Sequence, residues 1–133
     1  SGRRSGILKV FLDTNAVIFI HLGEKRYLSE RALETFDEAD ELFISPMVLL
    51  ELQFLEEIGR LRFSATEIME YLQAVHGAVI DDPGFAFAVR KALTLSWTRD
   101  PFDRVITAHA DVFEAPLITR DADIRTHYKK AVW

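Results

Sequence analysis

Short runs of apolar residues alternate along the chain with longer segments in which apolar residues recur every three or four positions. The short runs are typical of buried strands, and the longer spacing is typical of helices that cover a core. A run that is apolar on both faces favours a parallel strand buried between layers of helices. The pattern therefore predicts an α/β fold with a mainly parallel sheet, in one domain over 7–133. The predicted strands are 7–12, 42–45, 78–80, 116–119 and 131–133.

Residues typical of helix ends indicate where the predicted helices begin and end. Ser45 followed by Pro46 is typical of an N-cap and a first helical residue, and Ser64 forms a capping box with Glu67. Gly23 and Gly59 follow apolar helical segments and predict their ends. The predicted helices are 15–22, 29–39, 45–58, 64–76, 83–93 and 100–113, with a short turn or helix over 121–128.

The amino-acid composition indicates in which cellular compartment we expect the protein. The 133 residues include no cysteine, which excludes disulfides and thiolate zinc sites and fits a reducing, cytoplasmic location. No apolar run reaches the roughly 18 residues of a membrane span, and no secretory signal is seen, so we expect no membrane partner. Residues 1–6 are small and basic, and we interpret them as a disordered N-terminal segment or a remnant of cloning.

The formal net charge of −5 argues against a protein that coats nucleic acid by charge alone. It is compatible with a nuclease whose acidic residues gather at a metal while a few arginines meet phosphates. We expect Arg104 or Arg120 to make such a phosphate contact. The wider set of candidates is Arg60, Arg62, Arg99, Arg104, Arg120 and Arg125.

Two carboxylates follow predicted strands. Asp13 ends the first strand, and Asp121 comes directly after the fourth. In open α/β sheets, ligands bind beyond the carboxyl ends of the strands, where the strand order reverses. A helix N-cap is the alternative role for either residue, because Asp is favoured there. Asp123 lies two residues further on and is the alternate to Asp121.

Glu51 shares one side of its predicted helix with apolar residues. A carboxylate on a buried apolar face is costly unless it is paired or ligated. The alternative to a metal ligand is a salt bridge to a buried arginine. The apolar neighbours at helical spacing are Met47, Val48, Phe54, Leu55 and Ile58.

Asp100 and Asp103 open the sixth predicted helix. Asp100 is placed to cap the helix, so we interpret it as structural, and we favour Asp103 as the ligand with Asp100 as an alternate. Two carboxylates about 4 Å apart repel by roughly 4 kcal/mol at an effective dielectric constant of about 20. A divalent cation removes this conflict, and Mg²⁺ prefers oxygen ligands. We therefore predict a divalent-metal site formed by Asp13, Glu51, Asp103 and Asp121.

Other chemistries lack the residues that they need. There is no G-x-S-x-G elbow, P-loop or G-x-G-x-x-G motif, and no histidine pair spaced i, i+4 for zinc. A phosphate-accepting receiver domain needs a lysine after a late strand, and none follows Ile118. A non-catalytic module that docks a basic peptide in its acidic pocket stays open as an alternative.

Four segments resemble motifs of the PIN-domain proteins, and most closely those of the VapC-type toxins of bacterial and archaeal toxin–antitoxin pairs. They are LDTN at 12–15, the run from 44 to 51, RDPFDR at 99–104 and LITRD at 117–121, in the family's order. The resemblance implies a three-layer α/β/α fold with a parallel sheet of roughly five strands. It also implies a Mg²⁺- or Mn²⁺-dependent endoribonuclease that hydrolyses phosphodiester bonds.

The resemblance further implies residue roles and partners. Thr119 matches a residue that orients the site, and Asn15 a common polar neighbour. The implied partners are a second copy of the chain in a homodimer, a VapB-like antitoxin whose tail enters the acidic groove, and an RNA substrate of the tRNA or rRNA class. A PIN nuclease that acts in RNA processing is the alternative role. The implied acidic core is Asp13, Glu51, Asp103 and Asp121, with Asp123 as an alternate.

Overall fold

A parallel sheet forms the centre of the computed structural model, which describes residues 6–23 and 25–133. Its strand order is β3-β2-β1-β4-β5, and each neighbouring pair is parallel. The α/β class and the parallel five-stranded sheet are thereby confirmed, although every strand except β2 is shorter than predicted. They are β1 (Lys9–Leu12), β2 (Glu41–Ile44), β3 (Val79–Ile80), β4 (Leu117–Ile118) and β5 (Ala131–Val132).

Seven α-helices flank the sheet in this part of the chain, each where the apolar spacing predicts a helix. A 3-10 turn, Lys25–Tyr27, connects the first two. The caps at Ser45, Ser64 and Asp100 form as predicted, since each side chain accepts a hydrogen bond from a backbone N–H of its helix. The helices are α1 (Thr14–His21), α2 (Glu30–Glu38), α3 (Pro46–Glu57), α4 (Ala65–His76), α5 (Phe85–Ala92), α6 (Pro101–Val112) and α7 (Ala122–His127).

Several boundaries differ from the prediction, among them those of the first helix, the first strand and the fifth helix. The first helix begins at Thr14 rather than at residue 15, because Asp13 serves as its N-cap. Ile7 is 65% exposed and lies outside β1, so the predicted strand over 7–12 is too long. The fifth helix begins at Phe85 rather than at Pro83, since a turn precedes it. Of the predicted disordered segment 1–6, residues 1–5 lie outside the described residues.

The strand order reverses at β1, which pairs with β2 on one side and with β4 on the other. Val10, Phe11 and Leu12 of this central strand are 1% exposed or less. The carboxyl ends of β1 and β4 therefore lie side by side above the core. This is the crevice in which open α/β sheets bind their ligands.

Candidate active site

Asp13 lies directly after β1 and is 3% exposed. Its Oδ2 accepts hydrogen bonds from the Thr119 hydroxyl at 2.6 Å and from the Asn15 side-chain amide at 3.2 Å. Its Oδ1 accepts from the backbone N–H of Thr14 at 2.8 Å. Burial raises the pKa of Asp13 above its ordinary value, and the charge of Asp121 raises it further, while the three hydrogen bonds oppose the shift. Asp13 is therefore both the N-cap of α1 and a side chain of the site.

Glu51 reaches the same place from α3. The Thr14 hydroxyl donates a hydrogen bond to its Oε1 at 2.5 Å. Burial, followed by the charges of Asp13, Asp100 and Asp121, raises the pKa of Glu51 to about 7, against the effect of the Thr14 bond. No arginine within residues 6–23 and 25–133 forms a salt bridge with Glu51. The predicted alternative, a buried ion pair, is therefore not what the described residues show.

The prediction that Glu51 lies on a buried apolar face is only partly correct. Phe54 is 47% exposed and Ile58 is 48% exposed, whereas the buried residues of α3 are Val48 and Leu52. The helix faces the core with a narrower stripe than its composition indicates. Glu51 lies at the border of that stripe, where its carboxylate opens into the cleft.

Asp100 and Asp103 enter from the start of α6. Asp100 Oδ1 accepts from the backbone N–H groups of Phe102 at 2.8 Å and Asp103 at 3.3 Å, so Asp100 caps the helix. Burial raises the pKa of Asp103 to about 7, with further contributions from Asp100, Asp121 and the other acids of the site. Asp100 thus combines the structural role that the sequence predicts with a negative charge that acts on Asp103.

Of the two acids after β4, Asp121 is the one that the structure brings into the site. Its Oδ1 caps α7 through the N–H of Ile124 at 2.8 Å, and its own N–H donates to Thr119 Oγ1 at 3.0 Å. Asp123 is exposed on α7, and its carbonyl accepts from His127 Nδ1 at 2.9 Å. The order of preference between the two acids therefore matches the geometry.

The side chains of Asp13, Glu51, Asp103 and Asp121 line a cavity of about 160 Å³, which we call the acidic cleft. Four carboxylates with little compensating charge fit a hard divalent cation. In the part of the chain that the structure describes, no three His, Asp or Glu side chains are arranged to ligate one ion together. Mg²⁺ tolerates this, since it keeps several waters and takes one or two carboxylates directly. The cleft is lined by Asp13, Thr14, Asn15, Ile18, Glu51, Leu55, Asp103 and Asp121.

The two arginines expected near phosphate lie in different environments. Arg120 is exposed at the edge of the site, where its backbone N–H donates to Asn15 Oδ1 at 3.1 Å. Arg104 instead donates from Nε to the Ala92 carbonyl at 2.7 Å and from Nη2 to the Leu93 carbonyl at 3.4 Å. Arg104 therefore joins the end of α5 to the start of α6. The guanidinium carbon of Arg120 lies over the Phe19 ring, 5.7 Å from its centroid, and because Arg120 is exposed it is the more accessible of the two to a ligand.

Sequence reasoning missed two features around the site. It did not assign Thr14 a role, although a hydroxyl next to Asp13 was the available signal. It also missed the pair in which His109 Nε2 and Asp81 Oδ2 lie 2.8 Å apart, with His109 fully buried. Burial lowers the pKa of His109 despite the carboxylate beside it. Asp81 follows β3 as Asp13 follows β1, and this repeated position was the signal.

The fold and the acidic cleft define an α/β protein with a carboxylate site at the strand-order switch, and the comparisons give its family. The PIN domain family matches residues 10–130, so the chain belongs to the PIN-domain family. It is 32% identical over 120 residues to Ribonuclease VapC22 of Mycobacterium tuberculosis (strain ATCC 25618 / H37Rv), which covers 89% of this chain and 91% of that protein. These findings confirm the resemblance to VapC-type proteins.

Two solved structures share the fold. The crystal structure of VapBC2 from Rickettsia felis bound to a DNA fragment from their promoter has a TM-score of 0.57 at 15% identity, over 90% of this chain and 92% of that chain. The crystal structure of FitAcB from Neisseria gonorrhoeae has a TM-score of 0.51 at 21% identity, over 92% and 94% of the respective chains. None of the helices within the described ranges is long and apolar enough to cross a membrane.

Proposed function

We propose that this chain is a divalent-metal-dependent endoribonuclease and the toxin of a toxin–antitoxin pair. The observation that carries the proposal is the meeting of Asp13, Glu51, Asp103 and Asp121 in one cleft, although they come from four separate elements. Burial, and then the charges of the neighbouring acids, raise the pKa of Glu51 and of Asp103 to about 7, so ionising these groups without a cation is unfavourable. The relative named as a ribonuclease supports the reaction class.

Asp13 and Asp103 would hold Mg²⁺ or Mn²⁺, directly or through water, and Glu51 and Asp121 would complete the ligand set. When bound, the ion lowers the pKa of water and stabilises the charge that develops on the phosphate. Thr119 and Asn15 hold the Asp13 carboxylate in place by their hydrogen bonds.

A second hydroxyl of the cleft, that of Thr14, orients the Glu51 carboxylate. Thr14 directly follows Asp13 in the chain, and its hydroxyl donates a hydrogen bond to Glu51. Glu51 would then be oriented to hold the attacking water. Arg120, exposed beside Asn15, would meet a phosphate of the strand.

For partners, we propose an RNA of the tRNA or rRNA class as substrate, a VapB-like antitoxin as inhibitor and a homodimer as the assembly. The acidic cleft is complementary in charge to a basic side chain, so an arginine of the antitoxin would compete with the metal for the same carboxylates. The two structures that share the fold, VapBC2 and FitAcB, support a two-protein system of this kind.

RNA cleavage tests the proposal. Total tRNA and rRNA should be cut by the wild-type protein with Mn²⁺ or Mg²⁺, not with EDTA, and at least a hundredfold more slowly by Asp13→Asn. Asp123→Asn is the matched control, since it removes the same charge outside the cleft. Cleavage that survives both EDTA and Asp13→Asn would disprove the metal mechanism. The absence of cleavage together with no Mn²⁺-dependent rise in Tm would favour the non-catalytic binding module.

Growth assays address the biological role. Expression of a toxin should arrest growth, and co-expression of the neighbouring small reading frame should restore it. A metal-dependent ribonuclease whose expression leaves growth unchanged would instead be assigned to RNA processing.

A further inference from the structure

A second cavity adjoins the acidic cleft at the far end of α1. We call it the aromatic cavity; it has a volume of about 380 Å³. Ile18 lines the acidic cleft, and Leu22, one helical turn further along the same side of α1, lines the aromatic cavity. The two cavities therefore lie along the same side of α1, and Ile18 and Leu22 are about 6 Å apart along the helix axis. The residues that line the aromatic cavity are His21, Leu22, Arg62, Phe63, Glu67 and Tyr71.

Two aromatic rings in this cavity pack against the imidazole ring of His21. His21 makes edge-on contacts with Phe63, at 4.9 Å between centroids and 71° between planes, and with Tyr71, at 5.2 Å and 88°. Phe63 is 41% exposed and is not a member of the buried core. An exposed aromatic ring whose orientation is fixed by its neighbours is the kind of surface on which an unpaired nucleobase stacks.

Arg62 gives the cavity a positive charge directly beside that ring. Arg62 is exposed, and its planar guanidinium is suited to a phosphate. The acidic cleft repels phosphates, and Arg104 already donates to the Ala92 and Leu93 carbonyls. A strand whose phosphate enters the cleft therefore needs cations outside it, and Arg62 is placed to supply one.

Glu67 is the acidic residue of the cavity. Its Oε1 accepts from the Ser64 hydroxyl at 3.3 Å, which is part of the cap of α4. A carboxylate here can accept a hydrogen bond from the amino group of a base. The combination of an exposed ring, a guanidinium and a carboxylate matches a nucleotide better than it matches an apolar peptide, which would leave both charges without partners.

We propose that the aromatic cavity binds a nucleotide of the same RNA strand whose scissile phosphate lies in the acidic cleft. The base stacks on Phe63, and its phosphate pairs with Arg62. This inference rests on the proposed ribonuclease function and adds to it a second contact on the substrate, distant from the reacting atoms.

Binding of a 5′-fluorescein cytidine 12-mer RNA, followed by fluorescence anisotropy in EDTA, tests the proposal without cleavage. Phe63→Ala should weaken the Kd about tenfold, because stacking on one aromatic side chain is worth roughly that much. Phe63→Tyr should stay within about twofold of the wild type. Arg62→Ala should weaken binding and lower the slope of log K against log salt by about 0.7. Arg60→Ala, which removes the same charge two residues earlier, should have a smaller effect on both quantities.

Several outcomes would overturn this assignment. One is a Phe63→Ala variant that melts at the wild-type temperature and binds the 12-mer with unchanged Kd; another is an equal loss in Arg62→Ala and Arg60→Ala. Normal RNA binding combined with lost binding of the co-expressed neighbouring gene product would assign the cavity to a protein partner instead. If the wild type cuts RNA and Phe63→Ala cuts it with unchanged KM, nucleotide binding by the aromatic cavity is refuted and the ribonuclease proposal stands. If the wild type cuts no RNA with Mn²⁺, the ribonuclease proposal itself fails.

Discussion

The hydroxyl of Thr119 donates a 2.6 Å hydrogen bond to Asp13, which lies 106 positions earlier in the chain. The same oxygen accepts from the N–H of Asp121 at 3.0 Å. One buried threonine thus connects the carboxylate after β1 with the carboxylate after β4. The pairing of the two strands brings it there, because Leu12 is aligned with Ile118.

Replacing Thr119 should show how much this connection contributes to RNA cleavage and to stability. Thr119→Val keeps the shape but removes one of the three hydrogen-bond donors to Asp13 and leaves the Asp121 N–H without the Thr119 acceptor. We expect 10- to 100-fold lower RNA cleavage, as for other partners of metal ligands, and a loss of about 1–3 kcal/mol in the free energy of unfolding. Thr119→Ser retains the hydroxyl and should retain activity within about threefold. Equal activity of the two variants would show that the hydroxyl plays no part.

The raised pKa values of Glu51 and Asp103 predict how the stability of the metal-free protein depends on pH. Both groups titrate near 7 in the folded state and near 4.5 and 3.8 when unfolded. Between these values the folded state holds more protons, so the free energy of unfolding falls as the pH rises from about 4 to about 7.5. We expect these two groups to lower Tm by about 5 °C over this window, which allows for their partial exposure.

Metal should reverse this trend. The ligands must be deprotonated to bind a cation, so millimolar Mn²⁺ should raise Tm more at pH 8 than at pH 5.5. Differential scanning fluorimetry with and without EDTA measures both effects. The double variant Glu51→Gln, Asp103→Asn should lose most of the slope with pH and most of the Mn²⁺ shift. A wild-type protein whose Tm rises steadily between pH 4 and pH 7.5 would contradict the assignment of these pKa values.

Asp121 and Asp123 offer a matched comparison on one short helix. Asp121→Asn removes a charge from the cleft but keeps an N-cap, since Asn caps helices as well as Asp does. We expect cleavage to fall at least tenfold, with Tm changed by less than about 3 °C. Asp123→Asn, on the exposed side of α7, should change cleavage by less than twofold. The reverse result would make Asp123 the fourth acid.

Arg104 and Arg120 should separate a structural arginine from a phosphate-binding one. Arg104→Ala removes the hydrogen bonds to the end of α5 and should cost about 1–2 kcal/mol of stability, while the salt dependence of RNA binding stays unchanged. Arg120→Ala should leave Tm within about 2 °C and lower the salt slope of RNA binding by about 0.7. Melting curves and salt titrations with a labelled 12-mer RNA distinguish the two, and a change in salt slope for Arg104→Ala would contradict this division.

Local patterns were enough to predict most of the fold. Ser45 with Pro46, and Ser64 with Glu67, define helix starts through bonds within a few residues, so the sequence contains the whole signal. The end of β1 could likewise be predicted, because an apolar run stops at Asp13. The start of α5 could not, since Pro83 is a good first helical residue and only the turn that precedes Phe85 shifts the start.

The candidate site could likewise be predicted only in part from the sequence. That Asp13, Glu51, Asp103 and Asp121 share one cleft could be expected from strand ends, helix starts and the family motifs. The family motifs also implied that Thr119 orients the site, but the bond from Thr14 to Glu51 could not be predicted, because it spans 37 positions between two different helices. The exposure of Phe54 and Ile58 also escaped prediction, since periodicity shows which residues share a face but not whether another element covers that face.

The pairing of β4 with β1 has a consequence for a chain that is still being synthesised. Until residues 117–121 have left the ribosome, β1 lacks one of its two neighbours, Asp13 lacks the Thr119 hydroxyl, and Asp121 is missing from the cleft. The acidic cleft can therefore form only after the ribosome has synthesised β4 and the residues that directly follow it.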